Sequence, residues 1–139
     1  MRFAALALIT HLAFGAPPPD AAADVWDVVA TMAAALAEPN DAAFMQPISK
    51  SFPQHGLIEG QVRALVQTND VVSSISSVSN EGDDQHRTIE VDWYMEIQPR
   101  APGGSLSRRR ENVKLILTKA GKHWMITSLS PVEFFARSN

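Results

Sequence analysis

The stretch from Arg87 to Ile97 alternates without a break. Ile89, Val91, Trp93, Met95 and Ile97 fall on one face, and Thr88, Glu90, Asp92, Tyr94 and Glu96 on the other. A period of two marks a strand with one face buried. A chain carrying such a strand must pair it on both sides and cover its apolar face, so the second half of the sequence is committed to a sheet.

The first half is helical. Asp20 is placed to cap a helix in which Val25, Trp26, Val28, Val29, Met32, Ala33 and Leu36 recur at helical spacing up to Ala37. Glu38-Pro39-Asn40 ends it, because the residue before proline avoids the α conformation. Asn40 then caps a short second helix with Ala43, Phe44 and Met45 inward, and a third runs from about Leu57 to Gln67, closed by Asn69-Asp70.

Strands follow: Val71 to Ser79, Arg87 to Ile97, Arg108 to Thr118 and His123 to Leu129. The turns between them are Asn80 to Asp84, Pro99 to Ser107 and Lys119 to Lys122, and Pro131 to Phe135 forms a tail. Pairing Trp93 with Val113 sets Val91 opposite Leu115 and Ile89 opposite Leu117, with Asp92 facing Lys114 and Glu96 facing Arg110. In the last hairpin Leu117 faces Trp124 and Leu115 faces Ile126. The resulting apolar face needs a cover, and three helices need a surface. The expected class is α+β, helices layered on one side of an antiparallel sheet.

With 139 residues, 45% hydrophobic, the chain has enough material for one domain with a real core. A net charge of −3 argues against nucleic acid as a partner, and the absence of cysteine excludes disulfides and thiolate metal sites. Met1-Arg2, the apolar run from Phe3, and the small residues Ala13, Gly15 and Ala16 before Pro17-Pro18-Pro19 follow the order of a secretory signal peptide. The run is too short to span a bilayer. The expected organisation is therefore a signal peptide over 1–16, a single domain over 17–139, export to the periplasm or beyond, and no stable membrane span after cleavage.

Three helices followed by a meander of long strands resembles the nuclear-transport-factor-2-like superfamily, which includes the SnoaL-like domains. The stretches that carry the resemblance are Asp24-Val25-Trp26, Asp41-Ala42-Ala43-Phe44, Glu90-Val91-Asp92-Trp93 and the closing His123 to Leu129. It covers about Asp20 to Phe135 and implies about four long strands, strongly curved around the three helices into a cone, often with a pocket at the open end. Members of that superfamily include isomerases, cyclases, dehydratases, transport adaptors and inactive association domains, so the fold alone decides little.

Asp92 and Tyr94 are the most enzyme-like pair, since ketosteroid-isomerase-like members combine an acidic base with a tyrosine donor. Here both lie opposite the apolar face, which points them out of the cone. Arg109 and Glu111 have the parity of the apolar face near its end and are candidates for a pocket mouth; Trp93, Met95 and Trp124 are candidates for its lining. His11, His55, His86 and His123 match no zinc spacing, and His55 could reach a pocket from the helical side. Arg108-Arg109-Arg110 splits over two strand faces and makes no single basic patch. No catalytic residue, cofactor or metal is implied.

The function expected is an exported, non-catalytic binding or association domain with a small apolar ligand. A homodimer is expected through the outer sheet face of Tyr94, Ile116, Met125, Thr127 and Leu129. The alternative is a small-molecule lyase or isomerase working with acid–base groups inside the cone. Expression in an export-competent host should yield a product beginning at Ala16 or Pro17, read by N-terminal sequencing; a retained Met1 in the exported fraction would contradict the leader.

Overall fold

The structure, a computed structural model, describes residues 20–136. The expected leader over 1–16 lies outside the described residues. The elements are α1 (Ala21–Ala37), α2 (Asp41–Met45), α3 (His55–Thr68), β1 (Asn69–Gly82), β2 (His86–Pro99), β3 (Ser107–Ala120), β4 (His123–Ser130) and a 3-10 turn, Val132–Phe135.

Both expected caps form. The Asp20 carboxylate accepts from the Ala23 N–H at 3.1 Å, and the Asn40 side chain accepts from the Ala43 N–H at 3.0 Å. Val25, Val29, Met32, Ala33 and Leu36 form the buried stripe of α1. α3 is longer than its apolar pattern suggested and runs straight into β1. Asn69 is buried at the junction and donates to the Leu65 carbonyl at 2.9 Å. Arg100 closes the same helix end by donating to the carbonyls of Val66 and Gln67. Asn80 donates to the Ala22 carbonyl at 2.8 Å and ties the far end of β1 to the start of α1.

The four strands form one antiparallel sheet in the order β1-β2-β3-β4. Ile89, Val91, Trp93, Met95 and Ile97 are all fully buried, so the alternation of β2 sets the concave face as expected. The three helices cover that face, and the sheet stays unclosed at β1 and β4. The segment after α2 runs along β4: Ser49 donates to the Ile126 carbonyl at 2.8 Å and Ile126 to the Pro47 carbonyl at 2.7 Å.

Three details of the expected pairing are corrected. Val91, not Trp93, faces Val113, and Trp93 faces Glu111. A slip of two residues keeps every side chain on its own face, so apolar matching cannot tell the two registers apart. Asp92 consequently lies beside Asn112 and reaches diagonally to Arg110, while Lys114 faces Glu90 and Glu96 faces Arg108. In the last hairpin the turn is only Gly121-Lys122, with Gly121 at φ +62°, so Leu117 faces Ile126 and Lys119 faces Trp124.

The third correction comes from a bulge. Ile116 faces Ser128 while Leu117 faces Ile126, which leaves Thr127 as the extra residue. One inserted residue reverses the parity of everything after it, and Leu129 turns from the outer face into the core. Val78 is the matching extra residue on β1. The two bulges sit on the two outer strands, where they add the local twist and bend that a curved sheet needs.

The tail is part of the core. Val132, Phe134 and Phe135 are buried, and the Phe135 ring meets Phe44 at 5.2 Å and Trp93 at 5.0 Å, edge to face in both cases. Leu129→Ala should cost about 2–5 kcal/mol in a denaturant melt, as a buried leucine does, whereas Ile116→Ala on the opposite face should cost well under half of that. Equal losses would place the bulge elsewhere.

Candidate functional site

A cone of this kind offers three places for chemistry: its interior, its outer face and the grooves at its rim. The interior is occupied. Phe44 from α2, Trp93 from β2 and Phe134 and Phe135 from the tail interlock with ring centroids 5.0 to 6.4 Å apart. All but the tilted Phe44–Trp93 pair pack edge to face, the arrangement aromatic quadrupoles favour. Asn69 is the one buried polar residue among the described residues, and it is spent on the α3–β1 junction. No group of three or more histidine, cysteine, aspartate or glutamate side chains there is placed to hold a metal ion.

The residues expected to make one pocket are spread over the molecule. Trp93 is fully buried and its indole N–H donates to the Ser73 hydroxyl at 2.9 Å. Met95 is buried one pair further along β2. Arg109 donates from Nη1 to the carbonyls of Phe134, at 2.9 Å, and Ala136, so it latches the tail over the core. Partial burial of that guanidinium draws its pKa down. Glu111 is exposed, beside Asp92, Arg110 and Asn112 on a stretch of β3 that extends beyond the end of β4. Trp124 lines a separate groove under α1. His55 lines a depression of about 710 Å³ with Lys50 and Glu59.

The outer face is a lattice of charge. Arg110 grips Asp92 with two donors, Nε at 3.0 Å and Nη2 at 2.6 Å, and Arg108 lies 3.5 Å from Glu96. The Tyr94 hydroxyl donates to Glu96 at 2.8 Å, which pushes the Tyr94 pKa up. The bonds from Arg110 hold the Asp92 carboxyl below the usual aspartate range. A general base at neutral pH needs the reverse, a carboxyl raised toward 7. Asp92 and Tyr94 therefore sit as the sequence placed them, outside the cone, with Arg110 as the partner in place of Lys114.

The rim groove, about 630 Å³, sets acidic side chains against basic ones. α1 contributes Asp24, Asp27, Val28, Thr31 and Met32; the β3–β4 hairpin contributes Lys119, Lys122, His123 and Trp124. Asp24, Asp27 and Thr31 follow a helical stripe, a signal readable in advance; that the hairpin lysines face them depends on the tertiary fold.

Known structures place this architecture. A nuclear transport factor 2-like superfamily protein from Salmonella enterica aligns over 78% of this chain and 87% of its own, with a TM-score of 0.66 at 9% identity. The fold is that of the nuclear-transport-factor-2-like superfamily. A candidate dehydratase of the same family from Streptomyces avermitilis aligns over 81% of this chain and 95% of its own, TM-score 0.63 at 8% identity. The beta subunit of a benzoate 1,2-dioxygenase from Burkholderia mallei aligns over 77% and 86%, TM-score 0.62 at 13% identity. No protein-family model and no curated protein sequence matches the chain. These likenesses carry the nuclear-transport-factor-2-like fold to this chain and no activity with it.

The Asp92–Arg110 pair has a pH signature. A carboxyl with a lowered folded pKa contributes stability that is fully present above its unfolded value, near 4, and is lost as pH falls through the folded value. A carbon-detected NMR titration should find Asp92 protonating below the ordinary aspartate value of about 4, and Arg110→Gln should raise it toward that value. An Asp92 that titrates at or above that value would refute the pairing.

Proposed function

We propose that this chain is an exported, non-catalytic binding and association domain. The observation that carries the reading is the occupied cone: Phe44, Trp93, Phe134 and Phe135 lie where a substrate of a cone-pocket enzyme would have to bind. A lyase or isomerase needs an acid and a base converging on a cavity, with perturbed pKa values to match. The concave face instead presents apolar side chains, and Asp92 and Tyr94 are engaged on the convex one. The groove beside Trp124 is then the place for a small ligand, and the outer sheet face is the place for a second copy of the chain.

The outer face suits self-association by its chemistry. Exposed Val72 and Ile116 lie on the same side as the Asp92–Arg110 and Glu96–Arg108 pairs. A two-fold axis over such a face sets each patch against its own copy, and ion pairs that are already internally neutral cost less to cover than lone charges. The export part of the reading is supported by the signal-peptide-like order of residues 1–16. No described helix is long and apolar enough to cross a membrane.

Sedimentation velocity at micromolar concentration should show a dimer, and Ile116→Arg should convert it to a folded monomer. A wild-type chain that stays monomeric throughout would overturn the association reading.

A further inference from the structure

Many charged side chains among the described residues have partners. Arg63 lies against Asp41 and Glu59, Arg100 against Asp70, Arg108 against Glu96 and Arg110 against Asp92, while Arg87 donates to Asn80. The rim groove gathers four that do not. Asp24 and Asp27 enter it from α1, Lys119 and Lys122 from the β3–β4 hairpin, and none of the four side chains makes a hydrogen bond or ion pair among the described residues. Opposite charges share one groove without closing on each other.

A second, independent feature lies in the same place. Trp124 lines the groove with only 6% of its surface exposed, and its indole nitrogen is closed off from the surface and has no acceptor among the described residues. A buried donor without a partner costs free energy, and native structures seldom leave one unexplained. Trp93 shows what the same group does elsewhere in this chain: its N–H is satisfied by Ser73. Between the charged walls the groove is apolar, with Val28 and Met32 from α1.

We propose that this groove binds a short apolar peptide with free termini. The ammonium end pairs with Asp24 and Asp27, the carboxylate end with Lys119 and Lys122, and a peptide carbonyl accepts from the Trp124 indole after a small rotation of the ring. An apolar side chain rests on Val28 and Met32. A volume of about 630 Å³ is in the range of small-ligand sites and holds a peptide of a few residues. Only an occupant carrying both charges, a backbone acceptor and an apolar body satisfies every feature. The inference rests on the binding-domain reading and specifies its ligand.

The test uses the whole chain, the tripeptide alanyl-leucyl-alanine, and the same peptide N-acetylated and C-amidated. Calorimetry should find the free peptide binding about tenfold or more tightly than the blocked one, the loss expected when charge-assisted hydrogen bonds are removed. Asp24→Asn with Asp27→Asn, and separately Lys119→Gln with Lys122→Gln, should each weaken the free peptide by a similar factor. All four side chains are partly or fully exposed, so both variants should fold. In an amide–indole NMR spectrum the free peptide should move the Trp124 indole resonance, assigned with Trp124→Phe, and leave that of Trp93 in place. Equal affinity for both peptides, no binding, or an unmoved Trp124 signal would overturn the proposal. Failure with an intact dimer removes the peptide site alone; failure with a monomer removes the binding-domain reading as well.

Discussion

Trp93 and Phe135 meet edge to face at 5.0 Å, and much else follows from keeping that contact dry. The concave face of a curved sheet is wider than three helices can fill, and any gap left there would be either a ligand cavity or a packing defect of several kcal/mol. This chain resolves the choice with its own tail. Phe134 and Phe135 fold back over β2, Phe44 comes up from α2, and Arg109 ties the tail's carbonyls to the first part of β3. Each ring pair adds about 0.5–1.5 kcal/mol beyond the area it buries. The interior beneath the sheet is thereby a core rather than a vessel.

Curvature and packing are linked through the outer strands. The extra residues Val78 on β1 and Thr127 on β4 bend the two margins of the sheet. On β4 the extra residue also turns Leu129 inward, below the tail, while Trp124 stays at the rim. A flat β4 would have sent Leu129 to the solvent and added an apolar side chain to a face that is otherwise salt-linked.

Much of this was legible from spacing alone. The period of two assigned the faces of β2 and β3, and the caps Asp20 and Asn40 placed α1 and α2, because these are local effects of backbone geometry. Register was not legible, since a slip of two residues preserves parity and swaps one favourable set of charge pairs for another. The bulge at Thr127 was hidden because Thr127-Ser128-Leu129 contains no glycine or proline to announce it. The burial of Phe134 and Phe135 was hidden for a different reason: a short turn has no periodicity, so nothing marks which way it faces. Arg109 has the parity of a pocket residue, and the same parity serves equally well for a latch. The groove needed tertiary knowledge on one side only, since the acidic stripe of α1 is local and the lysines opposite it are not.

The position of the plug in the chain has a consequence for how the molecule comes into being. Two of the rings that cover Trp93 belong to the turn that follows the four described strands, Val132–Phe135. A nascent chain synthesised as far as Ser130 already holds every strand, yet its central tryptophan is uncovered and its sheet has no complete interior. The interior therefore cannot close over Trp93 until this turn has followed the strands out of the ribosome.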